Sequence, residues 1–524
     1  MKTLVMQRAR LGDLIQTLPL LETIRVQGDQ VSLLVSEDLL ESARLLFPSG
    51  DVKGFPGSGS VFRNKNLSLL AGVSHLREVW AELNIGAWDR IIQLNHDPTG
   101  VLLGQLLHAT KRRGFVSFLD RQVSGVDTSP LGGWPAYLVS SARSVRAVNR
   151  IHISDIWLGF AQEEDSGSPA CVLGSRSGVP GNRSANGPIG IVLSGRSRYR
   201  ELTFEGLSSL IDGIRKKTAR PVVLLGRPDE RELSFRLVRT GSGTVYNRVG
   251  ETSLSELVSQ VEELSLLISP DTATLHLAAL KGTPSLGLFF GNAQPHETGA
   301  YSDGSFSLTP EIDCYPCAGE GSGCADLSCR VLFSPDYLVS LSLAILERMP
   351  IPVPPEGLRL WKGKRVSGRF SNRPVHPVWA VREDLLGVLY RRFFLRILGH
   401  RATLPSLESE WEGYRGEEGM RRGLEVLASG ADLLSRLPYR DSAERIRLAG
   451  EYPILWPILN HTEQIECGWG DRALQSEAFS WLVSESLTLS GFCSGKRNGK
   501  LVRLDPVISD NSREQRLAGS EAGL

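Results

Sequence analysis

Apolar and polar positions alternate along the chain in two distinct periods. In residues 266–291, LLISPDTATLHLAALKGTPSLGLFFG, a short apolar run is followed by helical spacing and then by a second apolar run. The pattern predicts a strand over LLIS, a helix over TATLHLAALKG and a strand over PSLGLFF. Asp271 is placed to cap the helix, and Gly282 with Pro284 closes it. The same alternation opens the chain: KTLVMQ reads as a strand, Arg8 to Gly12 as a loop and DLIQTLPLLETIRVQ as a helix. QVSLLVSE and WDRIIQLNH are further strands, and TGVLLGQLLHAT reads as a helix ending at Lys111-Arg112-Arg113-Gly114. A second series runs through PIGIVLSG, FEGLSSLIDGIRKK, PVVLLGR, PDERELSFRLV and SLSELVSQVEEL into the unit at 266–291.

Strands alternating with helices predict parallel sheets with ligand loops at the carboxyl ends of the strands. Asp13 and Asp97 fall just beyond such ends. Residues 162–188 are rich in Gly and Ser and read as a linker. The expected organisation is an α/β unit over 1–161, that linker, a second α/β unit over 189–345 and an appendage over 346–524. MPIPVPPEGLRLW is proline-rich and Arg369 to Pro377 polar and turn-prone; helices such as REDLLGVLYRRFFLRILG and GLEVLASGADLLSRL follow. The first of these, with its four arginines, reads as a core helix with a solvated arginine face or as an amphipathic helix on an anionic membrane surface.

Composition narrows the function. Hydrophobic residues make up 41% and charged residues 22%, values of an ordinary globular protein, and the net charge of +1 argues against a nucleic-acid partner. No apolar run reaches the roughly 20 residues of a spanning helix, and MKTLVMQRARLGD is too quickly broken by charge for a signal peptide. Cytoplasmic residence is the expectation, with peripheral contact at the inner membrane face if the arginine-rich helix binds lipid. Four of seven cysteines bunch as Cys314, Cys317, Cys324 and Cys329, a C-x2-C-x6-C-x4-C run. In such a compartment they read either as free thiols or as a tetrahedral thiolate set for zinc or iron.

The start of the helix at Thr272, Ala273 and Thr274 offers small residues, unsatisfied N–H groups and a helix dipole to a phosphate, with His276 one turn on. The alternative is an ordinary buried β-α-β unit. Asp13 reads as a general base facing a cleft or as a helix cap. Arg196, Arg198 and Arg200 are cations beside the second half's first strand.

Two motifs now combine. Asp271-Thr272-Ala273, His276, Ala278-Ala279, Gly282-Thr283-Pro284 and Phe290-Gly291, with Gly12-Asp13, Thr17 and Pro19 near the start, resemble glycosyltransferase family 9, the ADP-heptose-type heptosyltransferases. The resemblance covers roughly residues 1–345. It implies a GT-B-type pair of Rossmann-like domains, here with an appended mostly helical C-terminal region. It implies an inverting, metal-independent transfer from a nucleotide-diphosphate sugar, ADP-heptose foremost, to a lipopolysaccharide or related envelope glycan. Asp13 would be the base and Arg200, where the family usually has lysine, would neutralise the leaving group. Asp271, Thr272, Ala273, His276 and Ser194 would hold the donor, with Glu230 on the ribose and Thr252 near the base, unless Thr252 caps the following helix. Arg63, Lys65, Arg112 and Arg113 are the acceptor candidates, each also readable as solvated surface. The cysteine run would be a structural knuckle. Two alternatives remain: a sugar-nucleotide epimerase of the same fold, and a catalytically weak nucleotide-sugar-binding or assembly protein.

Overall fold

The computed structural model describes residues 1–56, 77–116 except 85, 134–138 except 136, 146–161, 187–239 except 196 and 197, 244–317, 324, 327–397 except 367 and 381, and scattered positions between 404 and 428 and at 482–486. Most of the expected linker, Arg63, Lys65, Arg196, Cys171, Cys467, Cys493 and most of the helix read over GLEVLASGADLLSRL lie outside the described residues, as does the side chain of Arg198.

The first half is a five-stranded parallel sheet made of β1 (Lys2–Met6), β2 (Gln30–Ser36), β3 (Asp51–Phe55), β4 (Trp88–Gln93) and β5 (Ala109–Gly114), in the order β3-β2-β1-β4-β5. Central β1 is buried along its length after Lys2, because both its neighbours and both its faces are covered. Helices α1 (Leu11–Val26), α2 (Leu40–Leu46), α3 (Pro98–Leu106) and α4 (Ile153–Phe160) accompany it.

The second half repeats the scheme. Strands β6 (Ile189–Val192), β7 (Val222–Leu225), β8 (Val245–Asn247), β9 (Leu266–Pro270), β10 (Ser285–Leu288) and β11 (Phe306–Pro310) are parallel, with β6 and β9 adjacent where the order reverses. Both halves thus have the doubly wound strand order of the Rossmann fold, which opens a ligand crevice at the carboxyl ends of the central strands. Helices α5 (Phe204–Lys217), α6 (Arg231–Arg239), α7 (Leu254–Glu263), α8 (Ala273–Lys281) and α9 (Pro335–Glu347) belong to this half. At the end of α8, Gly282 takes φ +65°, a left-handed C-cap that a β-carbon would strain.

Two expectations are corrected beyond residue 345. The second sheet continues through antiparallel β12 (Leu358–Val366) and β13 (Arg369–Pro374), so the polar stretch after Arg369 is a strand. It reads as a turn because its buried side chains are polar. Arg369, Ser371, Asn372 and Arg373 all lie below 9% exposure, held by partners such as Asp155, the Pro295 carbonyl and Glu410. The arginine-rich helix α10 (Arg382–Ile397) presents no solvated arginine face at Arg391 and Arg392, which are buried. Arg391 donates to the Arg150 carbonyl and faces Glu410, while Leu389, Tyr390, Phe393 and Phe394 join the core of the first half. Each such apolar burial is worth about 1.5–3 kcal/mol, which favours packing over a membrane surface. No helix among the described residues is long and apolar enough to cross a membrane.

The appended segment therefore touches both halves. Asp384 of α10 pairs with Arg150 of the first half and with Arg359 of β12. Asp155 in α4 accepts from the Tyr301 hydroxyl at 2.7 Å and the Phe370 N–H at 3.1 Å, with Arg369 Nη1 at 3.9 Å.

Candidate functional site

The two halves meet where two helices begin. In the first half, the first turn of α1 carries Gly12 and Asp13, and in the second the β9–α8 loop carries Asp271 and Thr272 and leads into Ala273. A β-carbon added at Gly12 would lie 3.3 Å from His276 Cδ2 and 4.0 Å from the Ala273 Cα, so the two helix starts approach closely and a side chain there would be a tight fit. Ile15 of α1 packs in one apolar cluster with Leu277 and Ala278 of α8, fixing the pair below the gap.

Asp13 is half-buried in the first turn of α1, and its carboxylate accepts the Arg10 N–H at 3.2 Å. That bond makes it a capping residue at the start of the helix, one of its two expected roles. Thr17 of the same motif braces this loop. Its hydroxyl accepts from Gln7 Nε2 at 3.1 Å and donates to the Asp13 carbonyl at 2.8 Å. Asn95 in turn donates to Gln7 Oε1 at 2.6 Å and accepts the Arg8 N–H at 2.5 Å. This chain ties the loop of Asp13 to the ends of β1 and β4.

On the opposite side Asp271 does not cap α8. Thr272 is the N-cap residue and makes no side-chain capping bond; its hydroxyl is 2.9 Å from that of Ser269. The Asp271 carboxylate is instead paired with Arg200 Nη1 at 3.1 Å and lies 3.9 Å from His276 Nε2. Arg200 Nε and Nη2 also donate to Asn292 Oδ1, at 3.0 and 2.5 Å, which sets the guanidinium plane. In the first turn of α8 the Leu275 N–H already donates to the Thr272 carbonyl at 3.1 Å, and the start of the helix carries the positive end of its dipole. Burial lowers the His276 pKa, with the Asp271 charge working against it, so the imidazole is neutral near pH 7.

Ser194 and Glu230 come together: the Ser194 hydroxyl donates to Glu230 Oε1, and the Arg227 N–H donates to Oε2 at 2.6 Å. Burial raises the Glu230 pKa, with the Arg227 backbone bond and charge working against it. Thr252 does not cap α7; Ser253 does so, in a capping box with Glu256, which leaves half-buried Thr252 in the loop before it. Arg112 is also reassigned. The expected helix stops at Leu106 and β5 follows, so the Arg112 guanidinium donates to the carbonyls of Gly104, Gln105, Leu107 and Ala109. It closes the end of α3 rather than facing an acceptor. Arg113 is half-buried in the same strand.

The sequence reading missed several cross-half partners. Gln16 Nε2 lies 3.4 Å from His276 Nδ1, Arg146 pairs with Glu297 at 2.8 Å, and buried His152 Nε2 is 3.0 Å from the Gly299 carbonyl. Burial raises the Glu297 pKa against the opposing pull of Arg146 and Asn149.

None of the four clustered cysteines is in a disulfide. Burial raises the pKa of Cys317 and Cys329, and the neighbouring cysteines of the run add to it, so the sulfurs feel one another. The donor chemistry suits zinc or iron, but among the described residues no group of three or more His, Cys, Asp or Glu is spaced as a ligand set.

Comparison with known proteins follows this geometry. Residues 208–325 match the family model of glycosyltransferase family 9 (heptosyltransferase). The lipopolysaccharide core heptosyltransferase OpsX of Haemophilus influenzae is 31% identical over 70 residues, 13% of this chain; the match spans about a fifth (20%) of that relative. A family 9 glycosyltransferase from Veillonella parvula is similar in structure at 17% identity, with a TM-score of 0.49 over 66% of this chain and 97% of that one. The E. coli ADP-heptose lipopolysaccharide heptosyltransferase II has 16% identity and a TM-score of 0.47 over 66% and 99%.

Proposed function

We propose that this chain, whose residues 208–325 match glycosyltransferase family 9, is an inverting transferase that moves a sugar from a nucleotide-diphosphate donor, ADP-heptose foremost, to a bacterial lipopolysaccharide or related envelope glycan. The observation that carries the proposal is the close approach of two helix starts, Gly12-Asp13 and Asp271-Thr272-Ala273, where a β-carbon at Gly12 would stand 3.3 Å from His276 Cδ2.

The chemistry follows from the residues. The diphosphate lies against the start of α8, where backbone N–H groups and the helix dipole stabilise negative charge that grows as the glycosyl bond breaks. Arg200, aligned by Asp271 and Asn292, adds a fixed cation on that side. The acceptor hydroxyl approaches from the first half and gives its proton to Asp13, so that attack comes from the face opposite the leaving group and the anomeric centre inverts. Arg200 and the α8 dipole meet the charge demand without a metal ion. The cysteine run is proposed as a structural zinc or iron knuckle, with Cys314, Cys317, Cys324 and Cys329 as ligands and no part in the transfer. About one metal ion per chain by elemental analysis supports it, and metal-free folded protein refutes it.

The test is Asp13→Asn. Transfer should be lost while nucleotide binding persists; unchanged transfer refutes the base. One observation favours a second reading, a catalytically weak nucleotide-sugar-binding protein. Arg200, where the resemblance expects a lysine, is already held by Asp271 and Asn292, so its guanidinium is committed before any leaving group forms. That reading predicts nucleotide binding with no turnover in either protein.

A further inference from the structure

Gln16 lies in α1, one residue before Thr17, belongs to no motif position used above, and is 5% exposed. Its Nε2 is 3.5 Å from the Thr298 carbonyl oxygen and 3.4 Å from His276 Nδ1. The carbonyl oxygen can only accept, so the NH2 end of the amide is the end that faces Thr298 and the imidazole. The amide therefore donates to Nδ1, Nδ1 presents its lone pair, and the proton of the neutral ring sits on Nε2. The backbone of Gln16 is anchored within the first half, because its main-chain carbonyl accepts the Ser154 hydroxyl at 2.9 Å.

His276 Nε2 is 3.9 Å from Asp271 Oδ1, beyond hydrogen-bond reach, and 3.6 Å from where a Gly12 β-carbon would stand. The N–H of that nitrogen borders the gap between the two helix starts. The titratable groups that act on the ring are Asp271 from its own half and His152 from the other, which is itself neutral.

We infer that Gln16 is a positioning residue that holds His276 as the Nε2–H tautomer, so that an uncharged imidazole offers one directed hydrogen bond to the donor diphosphate. The ligand half of this inference rests on the transferase reading; the tautomer half does not. A neutral histidine acts here as a donor whose direction is set from across the cleft.

The test uses the full-length chain labelled with 15N-histidine, with His276→Gln assigning the resonance. The ring should carry its proton on Nε2 near pH 7.5. Gln16→Glu replaces the donor with an acceptor and should move the proton to Nδ1, whereas Gln16→Met keeps the bulk and should leave a mixture. Unmoved resonances of the other histidines report that both variants fold. A wild-type ring protonated on Nδ1, or Nε2–H retained in Gln16→Glu, overturns the tautomer assignment. ADP affinity measured on the same proteins should fall about tenfold in Gln16→Glu, the size of one hydrogen bond to a charged group. Equal ADP affinity despite an inverted ring overturns the donor role. If ADP binds none of the proteins while the tautomers behave as expected, the transferase reading and the ligand half fall together and the tautomer assignment stands.

Discussion

Asp155 offers the sharpest test of how the halves are held. It is fully buried in α4 and ties that helix to the Tyr301 loop and, through Phe370 and Arg369, to β13; Arg369 is 1% exposed. Asp155→Ala takes the carboxylate from a buried guanidinium, a hydroxyl and a backbone N–H together. Removing one partner of a buried ion pair costs about 3–5 kcal/mol, because the remaining charge is left in a poorly polarisable site. The lost hydrogen bonds belong to the same network and are not added on top. Urea unfolding followed by tryptophan fluorescence should show a lowered midpoint of that size. Asp155→Leu combined with Arg369→Met should recover most of the loss, since an apolar pair replaces a buried ion pair at little net cost. A loss below about 1 kcal/mol in Asp155→Ala refutes the reasoning, because the carboxylate would then not be compensating the buried charge.

Two further predictions bear on the site and its surroundings. Thr17→Val breaks the chain from Gln7 to the Asp13 carbonyl, so transfer should slow with nucleotide affinity unchanged; a matching fall in both would place Thr17 on the donor side. Stability should fall with acid. Buried His152 has its pKa lowered by burial from 6.5 to about 3, so between those values the unfolded chain binds a proton that the folded chain does not. The stability contribution is complete above about 6.5 and is lost as pH falls toward about 3. Burial lowers His276 and His296 in the same sense, whereas Glu230 and Glu297, raised by burial, act oppositely above the ordinary glutamate range. His152→Gln should show a smaller drop in urea midpoint from pH 7.5 to 5 than the parent, and an equal drop refutes the assignment.

The elements that the sequence makes legible are those whose pattern is set by local burial. The strands β1, β2, β4, β6, β7, β9 and β10 are apolar runs because both their faces are covered. The helix starting at Ala273 was readable from its small residues and its Gly282 end. What was illegible depends on distant partners. β13 is polar in sequence and buried in structure, because Asp155, Pro295 and Glu410 satisfy it from elsewhere. Arg112 reads as a surface cation until the end of α3 supplies it with four carbonyls. Asp271 looks like a cap by position, yet Arg200, 71 residues away, claims its carboxylate. Gln16 sits 260 residues from His276, and no local signal marks such a pair.

The account's central claim, a site for a nucleotide-diphosphate sugar at the start of α8, is tested most directly by thermal stability against ADP, UDP, GDP and CMP. A ligand that binds only the folded state at a hundred times its dissociation constant adds about 2.7 kcal/mol, a shift readily resolved. Stabilisation by ADP should be well above that by the other three, and should be lost on Arg200→Ala. A melting temperature unmoved by any of the four would contradict it.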